Sequence, residues 1–380
     1  MQVYIFILLI VGFYFLFSSV VNEHHIQSNT FTKPLSEEPK VSVLIPARDE
    51  EDNIGQCIES FLNQTYKNYE ILILDDNSSD RTYEIVNSYA KQYPEKVKLY
   101  SGKSLPSGWR GKSFAMKQLT EYATGEYYLF TDADTHHTEN SISLMMTNIV
   151  NHDVDMVSGY IGQELESFGE RVSVPIMYML TGLAVPIWLN EKLNLSILST
   201  AIGQFIGVKA SSFKAIGGYD AIKNITTEDM YLARLMKKSG YKTLFLDFKD
   251  AASCRMYHSF NESVHGLSKN IFDFLGKNGF LMFATLATIL FVLCLPFPFL
   301  VIEAVKFAMT GILTNFFKAL VVSCSFSFLA WLIICLSRRL PFYLAFLYPV
   351  IHFNLYYIAC ASWYNGTRGT GYVWKGRVVS

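Results

Sequence analysis

The feature that most constrains this chain is its first apolar run. No Asp, Glu, Lys or Arg interrupts Val3 to Val21, and about 20 such residues span a bilayer as a helix. A cleaved signal peptide would need a basic leader and a small-residue cleavage site. Neither is present, and Asn22-Glu23-His24-His25 follows the run. Residues 1–22 therefore read as an uncleaved membrane anchor and 23–40 as a polar linker. Three further runs of spanning length, Phe280–Ile302, Phe316–Leu336 and Pro341–Trp363, place a C-terminal membrane domain at 273–366 and a basic tail at 367–380. Basic residues flank these runs at Lys269 and Lys277, at Arg338-Arg339, and at Arg368, Lys375 and Arg377. Simple crossings cannot bring all three groups to one side, as the positive-inside bias prefers; Pro296 and Pro298 mark the first run as the candidate re-entrant segment. Composition agrees with a chain that is part soluble domain and part membrane. Charged residues reach 17%, below the soluble average of about 25%. A net charge of −1 gives no reason to expect nucleic acid as a partner. The 6 cysteines form no C-x-x-C pair and read as buried thiols, neither disulfides nor zinc ligands.

From Val41 onward the pattern changes. Val41–Ile45, Glu70–Leu74, Val97–Tyr100 and Tyr127–Thr131 are short apolar, β-rich runs. Between them lie amphipathic stretches of helical length at Asn53–Asn63, Thr82–Gln92 and Phe114–Ala123. Continuous apolar strands alternating with helices predict an α/β domain with a mostly parallel sheet covered on both faces. Ligands bind such sheets at the carboxyl ends of the strands, and the polar clusters start where strands stop. One apolar stretch inside this domain, Val174–Leu189, is broken by Pro175, Gly182 and Pro186. It reads as an interfacial helix or lipid-facing lid, with Tyr178 and Trp188 at headgroup level. Charged substitutions at Met179 and Leu183 are then expected to block entry of a lipid.

Four clusters carry candidate chemistry. Asp75-Asp76-Asn77-Ser78-Ser79-Asp80 reads as a turn and helix cap, or as carboxylates that accept hydrogen bonds from a nucleobase or ribose. Asp132-Ala133-Asp134 reads as a solvated turn, or as a carboxylate pair holding Mg²⁺ or Mn²⁺ against a diphosphate. Thr226-Thr227-Glu228-Asp229 reads as a capping box, or as the source of a general base. Gly108-Trp109-Arg110-Gly111-Lys112-Ser113 opens a helix and suits an anionic phosphate, but contains no Walker loop.

Taken in order, Pro46-Ala47-Arg48-Asp49-Glu50-Glu51, the Asp75–Asp80 run, Gly111-Lys112, Asp132-Ala133-Asp134 and Thr227-Glu228-Asp229 resemble the motifs of family-two glycosyltransferases with the GT-A fold. Gly108–Lys112, Arg255-Met256-Tyr257, Gly266–Asn270 and Trp374-Lys375-Gly376-Arg377 are similar to a membrane branch that includes the diaponeurosporenoate (carotenoid acid) and hopanoid-associated enzymes. The resemblance implies a cytosolic GT-A domain at 41–272 on a multi-pass cell-membrane protein. It implies inverting, metal-dependent transfer of one sugar from a nucleotide sugar, of UDP-hexose type, to an apolar lipid such as a carotenoid or polyisoprenoid acid. Glycerolipid, ceramide-like and polyprenyl-phosphate acceptors are the alternative. By likeness Asp76 reads the base, with Pro46, Ala47, Arg48, Glu50 and Asp75 around it. Asp132 and Asp134 hold the metal and diphosphate, with Lys112, Arg255 and Lys269 supplying positive charge. Asp229 is the base, with Glu228 the first substitute. The Q-x-x-R-W motif of polysaccharide-making members does not occur, which argues for one sugar per acceptor. Two rivals remain. A non-catalytic membrane scaffold would explain the fold without turnover, and a transporter would need ionisable residues inside the spans, where only Lys318 and His352 stand.

Overall fold

The alternation along the chain becomes a sheet buried on both faces. In the computed structural model, which describes residues 1–31, 33, 35, 37–367, 372–374 and 377–379, strand β1 (Val41–Ala47) sends Val43 and Ile45 into one apolar layer and Leu44 into the other. Strand β2 (Tyr69–Asp75) divides Ile71 and Ile73 from Leu72 and Leu74 in the same way. Successive strand residues face opposite sides, so a run apolar at nearly every position needs a layer of helices on each. Helices Ile54–Leu62 and Ser141–Asn151 fill one layer, and Gly111–Tyr122 and Glu228–Lys238 the other. Burying one Leu or Ile is worth about 1.5–3 kcal/mol, and a one-residue slip would exchange both layers.

The strands that follow are β3 (Val97–Ser101), β4 (Tyr127–Phe130), β5 (Thr135–His137), β6 (Met156–Tyr160), β7 (Gly162–Gln163), β8 (Ile206–Lys209), β9 (Thr243–Asp247) and β10 (Ala252–Cys254), and Tyr372–Trp374 pairs with Arg377–Val379 in a separate two-stranded sheet. Seven strands form the main sheet in the order β3-β2-β1-β4-β8-β6-β9. Strand β8 runs antiparallel to both its neighbours, and the other pairings are parallel. The mostly parallel sheet expected from the sequence is therefore present, extended by β6, β8 and β9. Strands β1, β2 and β4 end on one edge, and a small sheet, β5-β10-β7, stands beside it.

Among the described residues, four helices are long and apolar enough to cross a membrane by length and composition: Gln2–Ser28, Phe168–Leu189, Gly279–Thr310 and Asn315–Ser337. Helix Tyr348–Thr367 covers most of the third C-terminal run but is not among them. The first helix continues to Ser28, through residues expected to begin the linker. They stay helical because their polar groups find partners in the protein. Asn22 donates to the carbonyls of Gly182 and Val185 at 2.6 and 2.8 Å, and Glu23 pairs with the buried Arg338. Of the basic tail, Arg368 and Lys375 lie outside the described residues, as does Gly376.

The Val174–Leu189 stretch packs against the C-terminal helices. It is a broken helix whose Tyr178, Met179 and Leu183 are buried in a core shared with Trp331, Ile351 and Ile358 of the C-terminal helices. Tyr178 packs edge-on against Tyr160 at 5.1 Å. Gly182 is required by close approach: a Cβ there would sit 2.9 Å from the Tyr160 hydroxyl. Charge at Met179 or Leu183 would thus fall inside that core. Trp188 is only half-buried, beside Phe17 at 6.3 Å.

Candidate active site

Strands β1 and β2 end in register, Ala47 opposite Asp75, and the loops that follow are locked together. Asp49 and Asn77 adopt φ of 51° and 57°, a left-handed conformation that Asp and Asn tolerate better than most residues. Asp49 Oδ1 accepts from the Ser79 amide at 2.7 Å, and the Asp49 amide donates to Ser78 Oγ at 3.0 Å. Asp80 accepts from the amides of Glu51 and Thr82 at 3.0 and 2.9 Å. The turn-and-cap reading therefore holds for Ser78, Ser79 and Asp80, whose side chains are spent on the loops. Asp75 and Asp76 are different. Both are buried at 6% exposure, and Asp75 Oδ1 has no hydrogen-bond partner. Burial raises the Asp75 carboxyl above its ordinary value against hydrogen bonds from Ser78. Arg48 donates to the carbonyls of Asp76 and Asn77 at 2.6 and 3.2 Å, which ties the two loops together.

Pro46, Ala47, Arg48, Glu50, Asp76, Lys112, Asp132 and Asp134 line one pocket of about 100 Å³. Most of the expected donor-binding residues are thus brought together, with Asp75 immediately behind. Lys112 stands on the first turn of its helix and reaches across the sheet edge. Its ammonium lies 2.5 Å from Asp132 Oδ1 and 3.6 Å from Glu228 Oε1. Burial works against that charge, but Asp132, Glu228 and Asp229 together hold the ammonium well above its ordinary value.

Glu228 and Asp229 open helix Glu228–Lys238. Asp229 Oδ1 accepts from the Met230 amide at 2.8 Å and Oδ2 from the Gly203 amide at 2.9 Å. Burial raises the Asp229 carboxyl in spite of these bonds and of Lys112. Burial likewise pushes Glu228 up to about 7, with Lys112 opposing and Asp229 adding to the rise. Two carboxyl groups titrating above the usual range in one cleft suit proton transfer near neutrality. Sequence reading missed Gly203. Its amide orients Asp229, and a Cβ there would stand 3.2 Å from Lys112 Nζ and 3.5 Å from Asp229 Oδ2. The signal was a glycine just before a buried strand at a sheet edge. His137 was missed too; it sits under the D-x-D turn, with Nε2 2.9 Å from Thr131 Oγ1.

Besides Asp75, two of the expected donor-binding residues, Arg255 and Lys269, lie outside the pocket lining. Arg255 follows β10, whose Cys254 pairs with Thr135, but its guanidinium is bound to Glu166 at 2.6 Å and Glu170 at 3.1 Å. Lys269 is half-buried on helix Phe260–Phe274. Positive charge inside the pocket comes from Arg48 and Lys112.

The residues fit a divalent cation in one way. Among the described residues, no three or more His, Cys, Asp or Glu side chains cluster as a self-sufficient metal site. Asp132 and Asp134 nevertheless face the same pocket, and Mg²⁺ is commonly held by one or two carboxylates completed by substrate phosphates. A cation here would take Asp132 and Asp134 from the protein and the remaining ligands from a diphosphate and water.

Comparison with known proteins decides the domain. Residues 42–217 match the model of glycosyl transferase family 2. These residues form a family-two glycosyltransferase domain. The uncharacterized glycosyltransferase YibD of Escherichia coli (strain K12) is 34% identical over 117 residues, 31% of this chain and 32% of that protein. A beta-monoglucosyldiacylglycerol synthase of Trichormus variabilis is 39% identical over 98 residues, 25% of this chain and 20% of that one. The matched part thus spans a third or less of these relatives. The mannosyltransferase PcManGT from Pyrobaculum calidifontis, in complex with GDP-Man and Mn²⁺, shares the fold with a TM-score of 0.58 at 15% identity, covering 95% of this chain and 99% of that one. The family-two match stops short of Glu228 and Asp229, so their place in the site rests on Lys112 and Gly203.

Proposed function

We propose that this protein transfers a single sugar, with inversion, from a nucleotide sugar to an apolar membrane lipid. One observation carries the reading: Lys112 joins Asp132 of the nucleotide pocket to the Glu228-Asp229 pair across one cleft. Asp76 and the Arg48-shaped loop receive the base, with UDP as the first donor class. A divalent cation, Mg²⁺ or Mn²⁺, would offset charge on the departing diphosphate, held by Asp132 and Asp134. Lys112 supplies a second positive charge at the same place. Asp229, its oxygens fixed by Gly203 and Met230, takes the proton from an acceptor hydroxyl as the acceptor oxygen attacks the anomeric carbon. A carboxylic acid acceptor is already ionised near neutrality and would need that base less.

The lipid acceptor is supported by the apolar helices around the domain. Phe6, Phe13, Phe283 and Val305 are among many large apolar side chains left exposed on helices of spanning length. With the positive flanks at Lys277 and Arg338-Arg339, this favours a multi-pass protein whose domain meets cytosolic nucleotide sugars. A carotenoid or polyisoprenoid acid is the first acceptor class. A glycerolipid is the second reading, favoured by the likeness to a glucosyldiacylglycerol synthase. The test is purified protein with a panel of nucleotide sugars, Mg²⁺ or Mn²⁺ and total membrane lipid, the product being identified by mass. Glycosylation of a water-soluble sugar or peptide in preference to every lipid would overturn the reading.

A further inference from the structure

Lys112 and Asp229 come from helices far apart in sequence, yet their relative position decides whether the cleft works. The loops that launch the two helices meet on one carboxylate. Asp273 lies in the last turn of helix Phe260–Phe274, outside the pocket lining. Its Oδ2 accepts a hydrogen bond from Thr226 Oγ1 at 2.6 Å, two residues before Glu228. The same oxygen lies 3.7 Å from Arg110 Nη2, two residues before Lys112. Arg110 caps the Lys112 helix, and its amide donates to the Lys223 carbonyl at 2.9 Å, which fastens the two loops again. Lys277 approaches the other oxygen at 3.8 Å.

The same helix is rooted in the apolar helices. The amide of Phe272 donates to Ser362 Oγ at 2.9 Å, and the buried Phe272 ring belongs to the core shared with the C-terminal helices. Next to Asp273, the Phe274 ring lies 5.0 Å beneath the Arg234 guanidinium of the Asp229 helix. The two launching loops and the membrane-side helix therefore share one fixed point.

We propose that Asp273 is a positioning residue, setting the distance between Lys112 and Asp229 and tying it to the seating of the domain on its apolar helices. The proposal rests on the roles given above to Lys112 and Asp229. Its side chain is only 16% exposed, and its charge is met by Arg110 and Lys277, so it is suited to holding loops and not to contacting an anionic donor.

The test compares Asp273→Ala, Asp273→Asn and Thr226→Val in the full-length protein with wild type as control. A misplacement of about 1 Å costs up to 10²-fold in rate, so Asp273→Ala should lower kcat by about that factor with unchanged binding of nucleoside diphosphate in calorimetry. Asp273→Asn still accepts from Thr226 and should recover most of the rate. Thr226→Val should show the same pattern at smaller size. The double variant Thr226→Val/Asp273→Ala should be no slower than Asp273→Ala alone, because both act through one contact. The proposal is overturned if Asp273→Ala turns over normally, if it loses diphosphate binding and rate together, or if the two substitutions add. Should Asp273→Ala fail to fold, normal kcat in Thr226→Val overturns it as well. A wild type with no activity on any nucleotide sugar would instead sink the functional reading on which the proposal stands.

Discussion

Two clusters of buried charge hold this protein, and they are built on opposite principles. At the junction between the sheet and the terminal helices, Arg338 is only 4% exposed. It bonds Glu23 of the first helix, lies 3.1 Å from Asp247 at the end of β9, and stacks over the Tyr160 ring at 4.5 Å. Lys249 adds a second cation on Asp247. Two cations meet two anions, and the charge is balanced within the protein. In the active-site cleft, Lys112 faces Asp132, Glu228 and Asp229, with Asp134 and Arg48 alongside in the pocket. That cluster holds more carboxylates than cations, which leaves it to be completed by a cation and substrate; burial, with the neighbouring carboxylates adding to it, raises Glu228 and Asp229. A balanced cluster serves architecture; an unbalanced one stores affinity for something that arrives.

The sharpest way to break this contrast is Asp229→Asn. The substitution keeps shape and removes proton acceptance, so kcat with a hydroxyl acceptor should fall about 10²–10⁴-fold. Thermal stability should hold or rise, because one of the crowded carboxylates is gone. Initial rates and melting curves on the same preparation check both halves; a stability loss with little rate loss would make this cluster structural. The junction should behave the other way. Arg338→Met leaves Glu23 buried without its partner and Asp247 with Lys249 alone, and should cost about 3–5 kcal/mol of stability. The folded fraction should retain near-normal kcat, measured in nanodiscs against a denaturant series. A smaller effect is expected at the nucleotide end of the cleft. Asp76→Ala should weaken donor binding by about 1–3 kcal/mol, read by calorimetry with nucleoside diphosphate; unchanged affinity would reduce Asp76 to a loop residue.

The two clusters were unequally legible in the sequence. Local signals carried the active site: strands that stop at Asp75 and Asp132, a helix opening at Gly111, and an acidic pair at the start of another. The period-2 burial of β1 and β2 on both faces likewise follows from an unbroken apolar run. The junction was opaque because Glu23, Asp247 and Arg338 belong to three distant segments, and each alone reads as a solvated charge. For the same reason the first helix was cut short at Asn22, since nothing local shows that Gly182 and Val185 supply its partners. The packing of the Val174–Leu189 stretch was hidden for another reason. An apolar, broken segment is equally suited to a lipid surface and to a crowded core, and only the packing of Tyr178 and Leu183 distinguishes them. Arg255 looked free for a phosphate because its partners, Glu166 and Glu170, carry no motif.

The finest test of the unbalanced cluster is its pH response through Glu228. Burial pushes the Glu228 carboxyl up to about 7 and raises Asp229 beside it. Asp229 must be ionised to act as base, so the acidic limb of the kcat profile should lie above the ordinary Asp range near 3.9. Glu228→Gln is permanently neutral and removes a charge that opposes ionisation of Asp229; the limb should move to lower pH. Stability gives an independent reading of the same coupling. Because the folded value of Glu228 exceeds its ordinary 4.5, the fold favours the protonated form. Its favourable contribution is complete below the ordinary value and is lost as pH rises through about 7. In metal-free protein, Glu228→Gln should therefore raise Tm over wild type more on the alkaline side of that window than on the acid side. Added Mg²⁺ or Mn²⁺ with nucleoside diphosphate should narrow the difference by supplying the missing positive charge. A limb that stays in place, together with a Tm difference independent of pH, would show that Glu228 and Asp229 titrate separately. Surplus charge would then not be what sets this cleft apart from the junction.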